Sequence, residues 1–155
     1  MRKKRNYKRK HDPEIKYNSV LLERFVNYLM VDGKKSTAES VLYDALDKVQ
    51  KETSLDPVNV FEKALENASP LIEVVSKRVG GANYQVPREV RPERRFFLGC
   101  NWIIDAAKAK KGRPMADKLA EELLAAFKNE GSAIKKKQNV HKMAEANRAF
   151  AHFAR

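Results

Sequence analysis

A chain of 155 residues with 32 Lys+Arg against 20 Asp+Glu carries a formal charge of +12, a surplus that repels itself and points to a polyanionic partner. At 43% hydrophobic content it can bury the core of one domain, and its single cysteine, Cys100, excludes an internal disulfide or a multi-cysteine zinc site and fits a reducing compartment. No apolar run approaches the ~18 residues of a membrane span, and no apolar signal core follows the basic N-terminus.

Residues 1–12 are composed like a flexible basic arm, and within residues 1–10 stand Arg2, Lys3, Lys4, Arg5, Lys8, Arg9 and Lys10 with no acid. Residues 13–155 read as one helical domain. A first helix is predicted from Val20 to Val31, capped by Asn18 or Ser19 and closed by Gly33, with Leu22, Phe25, Val26, Leu29 and Met30 on its apolar face. Ser36-Thr37-Ala38-Glu39 has the form of a capping box and predicts the start of a second helix, with Val41, Leu42, Ala45, Leu46 and Val49 inward. Asp56-Pro57 is cap followed by first-turn proline and opens a third, which buries Val60, Phe61, Ala64, Leu65 and Ala68 and is stopped by Pro70.

Two β-prone runs, Val74 to Val79 and Tyr84 to Val86, then flank Gly80-Gly81. Glycine supplies the positive φ angles of a tight reversal, so the segment at about 72–90 is predicted to be a hairpin. Pro92 opens a fourth helix with Phe96, Phe97, Cys100, Ile103, Ile104 and Ala107 inward. Gly112 and Pro114 separate it from a fifth, carrying Leu119, Leu123, Leu124 and Phe127 and ending near Gly131. A sixth begins around Ser132 and carries Val140, Met143, Ala144, Asn147 and Phe150. The expected fold is therefore mainly α: a single six-helix domain, a hairpin protruding between helices three and four, and a basic N-terminal arm.

The charge is segregated. Residues 74–95 hold six basic and two acidic side chains, and residues 106–155 hold twelve and five, whereas residues 36–73 reverse the balance with three and eight. A polyanion is therefore expected to meet the arm, the hairpin and the C-terminal half, with Glu39, Asp47, Glu62 and Glu66 turned away. The candidate binding residues are the seven basic arm positions, Lys34 and Lys35 after helix one, Lys77 and Arg78 on the hairpin, and Arg91, Arg94 and Arg95 at the start of helix four. Arginines in a first turn oppose the helix dipole, an arrangement that suits a phosphate at the helix start. Lys108, Lys110, Lys111 and Arg113 form a loop cluster, and Lys135, Lys136, Lys137, Lys142 and Arg148 follow on helix six. Tyr84 and Trp102 are the candidate stacking rings, Trp102 reading better as core.

Catalysis finds little support. His11, His141 and His152 are scattered, His141 and Glu145 read as an ordinary one-turn surface pair, and Cys100 lies on an apolar face. Gly33-Lys34-Lys35-Ser36 follows a helix, not a strand, and lacks the upstream glycine of a phosphate loop. No cofactor or metal is expected. A helical DNA-binding protein would show a helix-turn-helix and dimer symmetry, and an RNA-modifying enzyme would need a cofactor loop or a convergent acid–base set.

Ser76-Lys77-Arg78-Val79-Gly80-Gly81-Ala82-Asn83-Tyr84-Gln85-Val86-Pro87 and Met143-Ala144-Glu145-Ala146-Asn147-Arg148-Ala149-Phe150-Ala151-His152 closely resemble the two signature stretches of the small-subunit ribosomal protein seven family, in its bacterial or organellar form. Phe25-Val26-Asn27, Met30-Val31-Asp32-Gly33-Lys34-Lys35 and Ala133-Ile134-Lys135-Lys136-Lys137 match in order and spacing, and the resemblance runs from about residue 12 onward. Arg88, the pair Gln138-Asn139 and the closing Phe153-Ala154-Arg155 depart from the family's usual residues. The resemblance implies a six-helix domain with a hairpin between helices three and four. It implies a non-enzymatic primary binder of small-subunit ribosomal RNA that nucleates assembly of the subunit head, and adds Met115 to the RNA-binding residues. It also implies neighbouring ribosomal proteins as partners and a cytoplasmic ribosome rather than an organellar one. Gly80, Gly81, Ala82, Asn83 and Tyr84 would then lie close to the exit-site transfer RNA, near the messenger RNA exit channel.

Overall fold

In a computed structural model that describes residues 11–154, six α-helices enclose one apolar core and a β-hairpin stands between the third and fourth. The basic positions from Arg2 to Lys10, and the expectation of flexibility placed on them, lie outside the described residues. Helix α1 (Val20–Leu29) buries Leu22, Phe25, Val26 and Leu29, as their helical spacing requires. It ends two residues before Val31, because Met30 is already extended and Asp32 and Gly33 both take positive φ. Val31 is left exposed.

Helix α2 (Lys35–Thr53) begins one residue earlier than the expected capping box. Backbone bonds close the preceding turn, Lys34 N–H to Val31 O at 3.0 Å and Lys35 N–H to Gly33 O at 2.9 Å, so Ser36 falls inside the first turn and no side chain caps the helix. Glu39 lies instead 3.8 Å from Lys35. Helix α3 (Pro57–Ala68) starts as expected, with the Asp56 carboxylate accepting from the Val58 N–H at 3.3 Å.

Strands β1 (Ile72–Val79) and β2 (Ala82–Glu89) pair antiparallel around a two-residue turn. Gly80 and Gly81 have φ of +57° and +90°, the double positive φ that matches the twist of a hairpin. Helix α4 (Pro92–Ala109), helix α5 (Met115–Phe127) and helix α6 (Ser132–Ala146) follow, and a 3-10 helix covers Arg148–Ala154. Helix α5 packs against α2, α3 and α4 and brings Leu119 and Leu123 fully into the core. Phe25 and Phe61 meet there edge to face, 5.1 Å between centroids. Gly99 lets α3 and α4 approach closely: a Cβ at this position would stand 2.6 Å from Ser69 Oγ and 3.1 Å from Leu65 Cδ1.

Three side chains on the expected helices depart from a simple inward face or from their element. Phe97 is 39% exposed and Met143 52% exposed. Phe150 belongs to the 3-10 helix rather than to α6, because α6 closes at Ala146 and the chain turns toward the hairpin. Cys100 is buried, and burial pushes its thiol up to about 12, as befits a packing residue.

Candidate nucleic-acid interface

The hairpin is held at both ends of its length. At its base the buried Glu73 carboxylate accepts from Arg88 on the paired strand and from Arg94 on α4, each at 2.7 Å. Burial alone would raise its pKa, but the two guanidiniums more than offset that and hold the carboxyl below its ordinary 4.5. Toward the tip, the Tyr84 ring packs against Phe150 at 5.2 Å and Phe153 at 5.3 Å, and Lys77 Nζ donates to the Phe153 carbonyl at 2.6 Å. Tyr84 is therefore half-buried in a protein contact and is no open stacking platform. Beyond it Gly80, Gly81, Ala82 and Asn83 are exposed, with Arg78 opposite Asn83 in the register.

The start of α4 combines compensated and open charge. Arg94 is taken up by Glu73, which answers within the fold part of the conflict with the helix dipole. Arg91 is exposed, and among the described residues it has no carboxylate partner. Arg95 is half-buried with its Nε unpartnered. Nearby, Lys137 Nζ donates to the Asn67 carbonyl at 2.6 Å, and burial, then the Arg95 charge, holds its pKa below the usual lysine value. His141 makes no pair with Glu145; its Nε2 accepts from the Leu71 N–H at 3.2 Å, and burial and Lys137 hold the ring below its ordinary 6.5.

Two clusters far apart in sequence meet across the surface. Lys34 and Lys108 rim one apolar depression of about 180 Å³, floored by Leu29, Val41 and Met115. Other predicted residues are engaged within the protein. Lys35 pairs with Glu23 at 2.7 Å, Lys110 with Glu121 and Glu122 at 3.3 and 3.2 Å, and Arg113 with Glu121 at 3.7 Å. Lys136 reaches Asp105 at 3.6 Å and stands 5.8 Å above the Trp102 ring, which is itself buried. Lys34, Arg78, Arg91, Lys108, Lys111, Lys135, Lys142 and Arg148 are exposed and, among the described residues, form no ion pair. Lys51 and Lys128, outside the predicted set, are likewise exposed and form no ion pair among the described residues, so the counter-charge of all these cations comes from elsewhere.

The expected acidic face carries exposed Glu62 and Glu66, with Asp47 salt-bridged to Lys16 at 2.8 Å and Glu66 to Lys63 at 2.9 Å. Sequence reasoning missed the buried carboxylates. Glu122 is 1% exposed and accepts from the Ala133 N–H at 3.0 Å, which caps α6 in place of its glycine N-cap. The signal was present: Glu122 lies beside Leu123 and one turn from Leu119 and Ala126, on the apolar stripe of α5. Among the described residues no three His, Cys, Asp or Glu side chains gather as metal ligands would, and no helix is long and apolar enough to cross a membrane.

The sequence itself matches known proteins along nearly its whole length. The chain is 56% identical over 153 residues, 98% of either chain, to the small ribosomal subunit protein uS7 of Francisella tularensis subsp. holarctica (strain OSU18). It is 52% identical over 153 residues, 99% of either chain, to the protein of that name from Thermotoga maritima. A profile of the family described as Ribosomal protein S7p/S5e matches residues 1–148. On these matches the chain belongs to the ribosomal protein S7p/S5e family, a structural and not an enzymatic one.

Proposed function

We propose that this chain is a constituent of the small ribosomal subunit that binds the subunit's ribosomal RNA directly, organises the head, and works on a cytoplasmic ribosome beside neighbouring ribosomal proteins. The observation that carries the reading is that, among the predicted binding residues, exposed cations without an internal counter-charge stand on the hairpin, both basic loops, α6 and the 3-10 helix. Neutralising phosphates with such cations releases counterions and supplies most of the affinity. The helices fix the spacing of those charges, so the surface selects a folded RNA junction by shape. RNA helices gathered on one rigid surface are thereby held in their assembled arrangement, with no bond made or broken. Footprinting the purified protein on small-subunit ribosomal RNA, against size-matched duplex DNA, tests this. A bounded footprint at a multi-helix junction is expected, and equal affinity for the duplex would overturn it.

The hairpin tip serves ligands of the finished ribosome, the exit-site transfer RNA and the messenger RNA near its exit channel, more than assembly. Gly80 and Gly81 face open space, so a nucleic-acid strand can approach the backbone closely. Glu73 and the Tyr84 cluster anchor the hairpin below the tip. Replacing Val79 to Asn83 with a two-residue turn is expected to leave head assembly intact and to change exit-site transfer RNA retention or reading-frame accuracy. Failed assembly, or intact assembly with both assays unchanged, would each refute the assignment.

A further inference from the structure

We propose that the depression between the hairpin base and α4 receives one unstacked nucleobase, seated on the ring of Phe97; the inference rests on the reading that the partner is RNA. Phe97 lies early in α4 and leaves 39% of its surface exposed. Its ring is braced, not loose: Tyr28 meets it edge to face at 5.5 Å, and Tyr28 also touches Phe96 at 6.1 Å. The Arg24 guanidinium covers the Phe96 ring at 4.1 Å. This aromatic group lies at the edge of a depression of about 570 Å³, ample for a base and its ribose.

The lining chemistry selects a base over a phosphate. Arg88 and Arg94 are consumed by Glu73, which leaves Arg91, Glu89 and Glu93 exposed and without an ion pair among the described residues. With the Glu73 cluster counted, three arginines face three glutamates across the depression, so no net charge draws a phosphate there. The open groups do match the edge of a nucleobase, whose exocyclic amines and ring N–H groups donate to carboxylates and whose carbonyl and ring nitrogen acceptors take hydrogen bonds from a guanidinium. An exposed ring beside such groups is the arrangement that holds splayed bases of single-stranded RNA. The phosphates on either side of the base would fall to the unpaired cations elsewhere on the surface.

The test measures binding of the full chain, and of Phe97→Ala, Phe97→Leu and Phe97→Trp, to a small-subunit ribosomal RNA fragment across a salt series. Stacking on an aromatic ring contributes affinity that is insensitive to salt, so Phe97→Ala is expected to bind roughly tenfold more weakly with an unchanged salt slope. Phe97→Leu should lose about as much, and Phe97→Trp should bind like the parent. Ultraviolet cross-linking of the unaltered protein should join Phe97 to a single nucleotide, a readout that needs no variant to fold. Parent-like binding by Phe97→Ala, rescue by Phe97→Leu, or cross-links from Phe97 to a protein neighbour alone in assembled subunits would overturn the pocket. Should the unaltered chain itself fail to prefer ribosomal RNA over duplex DNA, the broader functional reading falls, and the pocket with it.

Discussion

Affinity for small-subunit ribosomal RNA is expected to fall roughly 250- to 1,000-fold as salt rises from about 50 to 200 mM. The figure follows from about six neutralised phosphates and a log–log slope of roughly −4 to −5. The structure also says which residues should set that slope. Lys108, Lys111 and Lys142 are exposed and, among the described residues, have no carboxylate partner. Lys35 and Lys110 already sit against Glu23 and Glu122. A cation that has a protein counter-charge displaces fewer ions from RNA than one that has none. Lys108→Ala or Lys142→Ala should therefore flatten the slope by about one unit, and Lys35→Ala by clearly less. Filter binding at five or six salt concentrations measures both. A slope near zero would remove the electrostatic account, and equal effects from Lys35 and Lys108 would remove the distinction between paired and open charges.

Glu122→Ala is expected to destabilise the fold by about 3 kcal/mol, although the residue touches no expected RNA contact except Lys110. Three losses combine. The Ala133 N–H loses its acceptor, the α6 N-terminus loses a negative charge, and Lys110, 27% exposed at its side chain, loses a carboxylate at 3.2 Å. For a domain of this size the midpoint of thermal unfolding should drop by about 6–12 °C. Glu122→Gln keeps an acceptor for the amide and should cost about half as much. Urea denaturation of the three proteins is decisive; an Ala variant as stable as the parent would mean that solvent or a shifted side chain caps the helix equally well.

Both expectations rest on features of unequal visibility in the sequence. The helices were legible wherever a local rule decides: Asp56-Pro57 and Pro92 open α3 and α4 because proline and an acidic cap act within one turn. The hairpin was legible because Gly-Gly takes two positive φ angles without strain between β-prone runs. The capping box at Ser36 failed because the backbone turn at Asp32-Gly33 set the helix start first. In the candidate interface, residue type was legible and pairing was not. Arg94 and Lys110 read like Arg91 and Lys111 in one dimension, and only the fold brings Glu73 and Glu122 to the first pair. Phe97 is exposed and Tyr84 covered, against expectation, for the same reason. Exposure of a ring depends on which distant segment covers it, and Phe150 and Phe153 cover Tyr84.

The ring contacts across Tyr84 also bear on the order in which the protein is made. Synthesis runs from the N-terminus, so both strands emerge well before Phe150 and Phe153 exist to back them. A two-stranded ribbon without such backing is marginal in water. A nascent chain that stalls after α5 can gather much of its helical core, yet its ribbon lacks the aromatic contacts that steady it. The hairpin is thus the part of the fold whose support is completed latest in translation.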